Sequence, residues 1–186
     1  VTILLVGIAV NAIAGVGIGA FQYLADDGQL RSMVFWMMGS FGRSTWTTLL
    51  PAIAIMAVCV LALIRYARPL DLLQLGEPEA EFLGVDVKRL KRGVILASAA
   101  GVGAGVALCG IIGFIGLVVP HLVRLSIGPS HKLLIPGSAL LGASLAILAD
   151  LVSRTVIIPA EIPVSLVTSA LGAPFFLWLI ARARPV

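Results

Sequence analysis

From Gly93 to Val123 the chain runs without a single Lys, Arg, Asp or Glu. Wholly helical, that stretch would be about 46 Å long at about 1.5 Å per residue, more than the roughly 30 Å of hydrocarbon in a bilayer. A run that apolar belongs in lipid, and a run that long must be broken into two elements. Gly110, Gly113 and Gly116 mark the break, because glycine best tolerates a bend and a close backbone approach. The distribution of positive charge tests the split, since Lys and Arg collect in cytoplasmic loops. With a hairpin over 93–123, Arg65, Arg68, Lys88, Arg89, Lys91, Arg92, Arg124, Lys132, Arg182 and Arg184 all fall on one side, and only Arg31, Arg43 and Arg154 on the other. A single span divides the same thirteen residues seven against six, so the hairpin is preferred.

The remaining apolar runs set the rest of the architecture. The first extends from Val1 to Leu24 and ends at Asp26, Asp27 and Gly28. The stretch from Leu30 to Phe41, with Trp36 and Met37, is too short to span and reads as an interfacial or re-entrant helix. Further spans are expected over Thr47 to Ile64, with Pro51 near its first turn, over Leu133 to Leu151, and over Pro163 to Ile180. The fold class is therefore an all-α integral membrane protein, a polytopic transmembrane helix bundle with short or broken helices. Residues 1–186 form a single membrane domain with no linker, tandem repeat or low-complexity tract. The chain begins at Val1, already inside an apolar run with no charged segment before it, so a preceding N-terminal portion is expected.

Composition agrees: 60% of residues are hydrophobic, 12% are charged and mean hydropathy is +1.10, whereas soluble domains carry about 25% charged residues. The net charge of +4 is a topological consequence of cytoplasmic loops, not a nucleic-acid surface, because no basic stripe is interleaved with aromatics. Cys59 and Cys109 fall inside apolar runs, where cysteine acts as a small hydrophobe.

The extended polar segment lies between Tyr66 and Arg92, and within it PLDLLQLGEPEAEFLGVDVKRLKRG has the marks of one short surface helix. Pro78 suits its first position, Glu79 and Glu81 favour the positive end of its dipole, and Gly84 sits where a left-handed residue would end it. Leu70, Leu72, Leu73, Leu75, Phe82, Leu83 and Val85 give the loop an apolar face, which suits either a docking surface or a loop lying on the bilayer.

Elsewhere, Gly15 with Gly19, Gly101 with Gly105, and Ser138 with Gly142 have the spacing that lets helix backbones approach in lipid. Asp150 and Arg154, four apart near the outer end of a span, can pair on one helix face. They suit either a functional site or an interfacial cap with a snorkelling arginine, and Glu161 lies in the same outer loop. His121 and His131 have no Cys, Asp or Glu at ligand spacing, so they carry no metal assignment. No nucleophile triad, paired-carboxylate arrangement or phosphate-binding glycine loop can be assembled. The chain reads as a non-enzyme without a bound cofactor, and any ATP and Mg²⁺ belong to another subunit.

The segment GIIGFIGLVVPHLVRLSIGPSHKLLIPGSALLGASLAILADLVSR, followed by PAEIPVSLVTSALGAPFFLWLI, resembles the FecCD family of ABC permeases. LGEPEAEFLGVDVKR and FWMMGSFGRSTW are similar to the same family, so the motifs recur in order along the whole chain. The resemblance implies the permease of an importer for haem or a ferric siderophore, with cobalamin as the alternative cargo. It implies correspondence to spans five to ten of a ten-span family, with the N-terminal spans absent. Residues 70–90 become the coupling-helix loop, and contact with the ATPase falls on Glu77, Glu79, Ala80, Leu83 and Gly84. Pro78 and Glu81 depart from the family's commoner residues there. Arg154, with Asp150, becomes the docking point for the substrate-binding protein, and Asn11 and Gly15 become candidates for the translocation pathway. The implied partners are a second permease copy, two ATPase subunits, a periplasmic or lipoprotein binding protein and the lipid bilayer of a bacterial inner membrane, with no nucleic acid.

Two other classes compete. A membrane-embedded enzyme should carry polar catalytic groups at mid-span, where this chain has mostly Ser, Thr and Asn11. A proton-coupled secondary transporter should carry acids within spans, and Asp150 near a helix end is thin support.

Overall fold

The computed structural model describes residues 2–42, 44–157 and 161–183. The readings that rest on Val1, Arg43, Pro159 and Arg184, and on the side chain of Arg182, lie outside the described residues. Those residues fold as helices and turns with no strand among them, in two compact units, Val1–Met37 and Met38–Val186.

The first unit holds α1 (Thr2–Leu24) and α2 (Asp27–Met37). The apolar side chains of α1 are exposed on several faces, among them Leu4, Ile8, Ile13 and Val16. Asp26 separates the two helices by a reciprocal cap: its Oδ1 accepts from the Gln29 N–H at 2.8 Å, and its own N–H donates to Gln29 Oε1 at 3.3 Å. α2 thus begins at the acidic break and ends at Met37, earlier than Phe41, and its 11 residues are too few to span.

The second unit contains α3 (Trp46–Arg65), α4 (Ala67–Leu73), α5 (Glu77–Phe82), α6 (Val87–Cys109), α7 (Ile115–Ile127), α8 (His131–Thr155) and α9 (Val164–Ala183). Among the described residues, α1 from Leu4, α3, α6 and α8 are each long and apolar enough to cross a membrane, while α7 and α9 provide shorter apolar helices. α6 and α8 extend beyond the expected apolar limits, into the polar residues that flank them. α6 starts at Val87 instead of Gly93, since Asp86 accepts from the Arg89 N–H at 3.0 Å and the basic turn behind it is helical.

Glycine sets the helix contacts. On α6, Gly101 faces Cys59 and Gly105 faces Met56 of α3, which is the close approach expected of that pair. On α8 the approach to α7 is made by Gly137 against Val123 and Gly142 against Ile115 and Val119; Val119, Val123 and Leu134 form the buried core there.

The hairpin reading of 93–123 holds. α6 ends at Cys109, the chain turns through Gly110–Phe114, and α7 runs back. Both ends of this excursion lie together: Lys91 of α6 meets Glu77 at 2.5 Å, and His131, just past α7, meets Asp71 at 2.7 Å. At the opposite end the Ser40 N–H donates to the Cys109 carbonyl at 2.8 Å and the Val164 N–H to the Gly39 carbonyl at 3.1 Å. Arg65, Arg68, Lys88, Arg89, Lys91, Arg92, Arg124 and Lys132 belong to the first end and Arg154 to the second, so the first is the cytoplasmic end.

Candidate functional site

The expected site residues fall at two ends of the second unit and on α1. At the cytoplasmic end the chain forms two short helices where the sequence announced one. α4 follows α3 almost directly, separated by Tyr66, whose ring packs against the bare backbone of Gly93. α5 has Glu77 and Pro78 as its first two residues, with Glu77 and Glu79 in its first turn.

The end of α5 is fixed by backbone geometry. Gly84 takes φ +84°. Its N–H donates to the Glu81 carbonyl at 2.9 Å, and the Val85 N–H donates to the Ala80 carbonyl at 3.0 Å. That pair of bonds is the Schellman arrangement, which a left-handed glycine permits. It turns the chain so that Asp86 can start α6 immediately.

The five candidates for ATPase contact are therefore not equivalent. Ala80 is fully buried and anchors α5 to its neighbours, while Glu79, Leu83 and Gly84 are exposed. Glu77 is exposed but tied to Lys91. Phe82, which the motif comparison passed over, is 92% exposed, and Leu75 and Leu83 are also open. An acidic helix bearing an exposed phenylalanine, with an exposed leucine on either side of it, can insert apolar side chains into a groove while its carboxylates meet basic residues at the rim.

Sequence reasoning also missed a cluster beside it. Asp71 of α4 accepts from the His131 N–H and from His131 Nδ1, each at 2.7 Å, and from Ser130 Oγ at 3.2 Å. Burial works against the Asp71 carboxylate, but the hydrogen bonds from His131 and Ser130 and the nearby His131 charge outweigh it and hold the carboxyl below its ordinary value. The two partners lie 60 and 59 residues away, so no local pattern could have signalled them.

At the outer end Arg154 Nε donates to Asp150 Oδ2 at 2.9 Å, and its other nitrogens lie near Glu161 Oε1 at 3.7 Å and the bare Gly42 backbone. The turn that brings Glu161 there is pinned by Ser153, whose hydroxyl donates to the Ile162 carbonyl while its carbonyl accepts the Ile162 N–H at 3.0 Å. Arg154 remains 41% exposed. An exposed pair four apart on a helix contributes about 0.3–0.5 kcal/mol, so a partner's carboxylate can replace Asp150 or Glu161 at small cost.

On α1, Asn11 and Gly15 share one helix face and are both exposed in the first unit, with nothing packed over Gly15.

Residues 1–182 match the model of the FecCD transport family. The hemin transport system permease HmuU of Yersinia pestis is 53% identical over 183 residues, covering 98% of this chain and 54% of the relative. The vitamin B12 import system permease BtuC of Vibrio cholerae is 44% identical over 180 residues, covering 97% and 54%. A solved metal-chelate type ABC transporter in an inward-facing conformation superimposes with a TM-score of 0.89 at 38% identity, over 96% of this chain and 58% of that one. The chain thus spans about half the length of the curated relatives it matches.

Proposed function

Because the chain belongs to the FecCD transport family, we propose that it is part of the multi-pass permease of an ATP-driven importer that carries haem or a ferric siderophore by alternating access. The observation that carries this reading is the two-ended arrangement of the second unit, with an acidic, apolar-tipped helix α5 on the cytoplasmic side and an exposed, exchangeable Arg154 on the outer side. α5 suits an ATPase groove, with Glu79, Phe82 and Leu83 in contact, Glu77 held by Lys91, and Ala80 and Gly84 shaping the element. Arg154, oriented by Asp150, suits an acidic lobe of a substrate-binding protein.

The working assembly is a permease dimer with two ATPase subunits and one binding protein in a bacterial inner membrane, with residues 1–186 part of one permease domain and 70–90 its coupling loop. Asn11 and Gly15 supply pathway surface. ATP and Mg²⁺ act on the ATPase, whose closure displaces α5 and biases the permease between inward- and outward-open states. A second reading, cobalamin as cargo, draws on the 44% identity to the vitamin B12 permease; the 53% identity to the hemin permease favours haem.

The test is uptake into proteoliposomes that hold the full-length permease, its ATPase and its binding protein, with labelled haem, ferric siderophore and cobalamin in parallel. ATP-dependent uptake of haem or siderophore supports the reading, and uptake of cobalamin alone moves it to the second. Uptake of none, with ATP hydrolysis indifferent to the permease, overturns both.

A further inference from the structure

α8 carries Arg154 near its outer end, and its cytoplasmic end is capped by a residue of the coupling segment. His131 opens α8, so its N–H has no carbonyl partner within the helix, and the side chain of Ser130 makes no local cap bond. The Ser130 hydroxyl instead turns to Asp71 of α4, and the same carboxylate takes the His131 N–H. Gln74, just beyond α4, adds a bond from Nε2 to the Pro129 carbonyl at 3.3 Å. A carboxylate in this position also meets the positive end of the α8 dipole. The cap of a membrane span is therefore supplied from the helix that leads into α5.

The span beyond it can carry a displacement. His131 to Arg154 is about 35 Å of helix at about 1.5 Å per residue. α8 is packed on α7 through Leu134, Leu141 and Leu145 against Val119 and Val123. Packed helices shift as bodies more readily than they deform.

We propose that Asp71 is a positioning residue for transport: by capping α8 from α4 it makes the coupling segment and α8 move as one body, so that events at α5 and at Arg154 reach each other. The proposal rests on the importer reading. Linkage then works in both directions, with the ATPase state altering affinity at Arg154 and an occupied Arg154 altering ATP hydrolysis.

The experiment compares the wild-type full-length permease with Asp71→Ala and Asp71→Asn, each reconstituted with its ATPase and binding protein. Three quantities are read: co-purification with the ATPase, ATP hydrolysed, and labelled haem, ferric siderophore or cobalamin carried, whichever the wild type transports. Asp71→Ala is expected to keep the assembly intact while the substrate carried per ATP falls about tenfold, within the range of ordinary coupling free energies. Asp71→Asn, which retains an acceptor for the His131 N–H, should recover most of that ratio. An unchanged ratio in Asp71→Ala overturns the proposal. So does loss of ATPase co-purification or of folded protein in both variants, because Asp71 would then only build the segment. A wild-type complex that carries none of the substrates defeats the importer reading instead.

Discussion

The outer and cytoplasmic ends of the second unit are closed by different kinds of bond. At the outer end most ties between elements join backbone to backbone, Ser40 with Cys109, Val164 with Gly39 and Ile162 with Ser153, with the Ser153 hydroxyl and the Arg154–Glu161 pair beside them. At the cytoplasmic end the ties between elements are made by side chains, Asp71 to His131 and Ser130, Glu77 to Lys91, and Gln74 to Pro129. Backbone bonds set in tight turns leave no rotamer to change, whereas side-chain ties can be exchanged one at a time. The outer end is thus fixed in tight turns around Arg154, and at the cytoplasmic end α4 is joined to α8, and α5 to α6, by side chains.

The strongest way to break that comparison uses two glycines with the same backbone requirement. Gly39 takes φ +72°, and a Cβ there would lie 2.9 Å from the Ile111 carbonyl oxygen. Gly84 takes φ +84°, with nothing within 4 Å. Gly39→Ala should cost about 2 to 4 kcal/mol, left-handed strain plus a backbone clash, and Gly84→Ala only the strain of about 1 kcal/mol. Melting of the detergent-solubilised full-length protein ranks the two; equal losses would mean that the outer platform is as yielding as the coupling loop.

The docking roles proposed for the two ends come next in size. Arg154→Glu sets three carboxylates together with Asp150 and Glu161 and should weaken binding-protein affinity at least about tenfold, recoverable by charge reversal on the partner. Titration of labelled binding protein against reconstituted permease reads it, and unaltered affinity would remove Arg154 from the interface. At the other end Phe82→Ala should weaken ATPase association about tenfold without loss of permease stability, because its ring is 92% exposed and packs on little of this chain. If the variant melts early instead, Phe82 is structural.

These contrasts also show what the sequence could disclose. The spans of α1, α3 and α8, the hairpin over 93–123 and the left-handed Gly84 were legible because each depends on local periodicity, on charge bookkeeping between loops or on a single backbone requirement, whereas the span expected over Pro163 to Ile180 is one of the shorter apolar helices. Asp150 with Arg154 was legible because four residues of helix bring them together. α4 was not: its seven residues contain Pro69 and lack a polar-to-apolar rhythm, and what holds it is a set of bonds to residues 129–131. Phe82 read as one of several apolar loop residues, and only the burial of Ala80 beneath α5 distinguishes the face that points away.

Acid should loosen the cytoplasmic end before the outer one. The Asp71 carboxyl is held below its ordinary value of 3.8, so its stabilising effect is complete above that value and is lost as pH falls through the lower folded value. Protection of the amides at the start of α8 against exchange should persist down to about pH 4 and fall below it, while protection at the Gly39 and Cys109 turn, closed by the Ser40 N–H on the Cys109 carbonyl, should not follow. Parallel loosening of both ends would mean that Asp71 is not what holds α4 to α8.

The smallest effect belongs to the Glu77 and Lys91 pair. Both side chains are substantially exposed, at 61% and 33%, and the bond closes a loop already fixed by Ala80, Gly84 and Asp86. Exposed pairs of this kind contribute about 0 to 1 kcal/mol, so Lys91→Gln should hardly shift the melting of the permease. Its consequence should appear in association instead: a Glu77 freed from Lys91 offers an unpaired carboxylate to the ATPase, and co-purification should become more sensitive to salt. If Lys91→Gln leaves that salt dependence unchanged, Glu77 faces Lys91 in the complex as well, and the acidic rim of α5 reduces to Glu79 and Glu81.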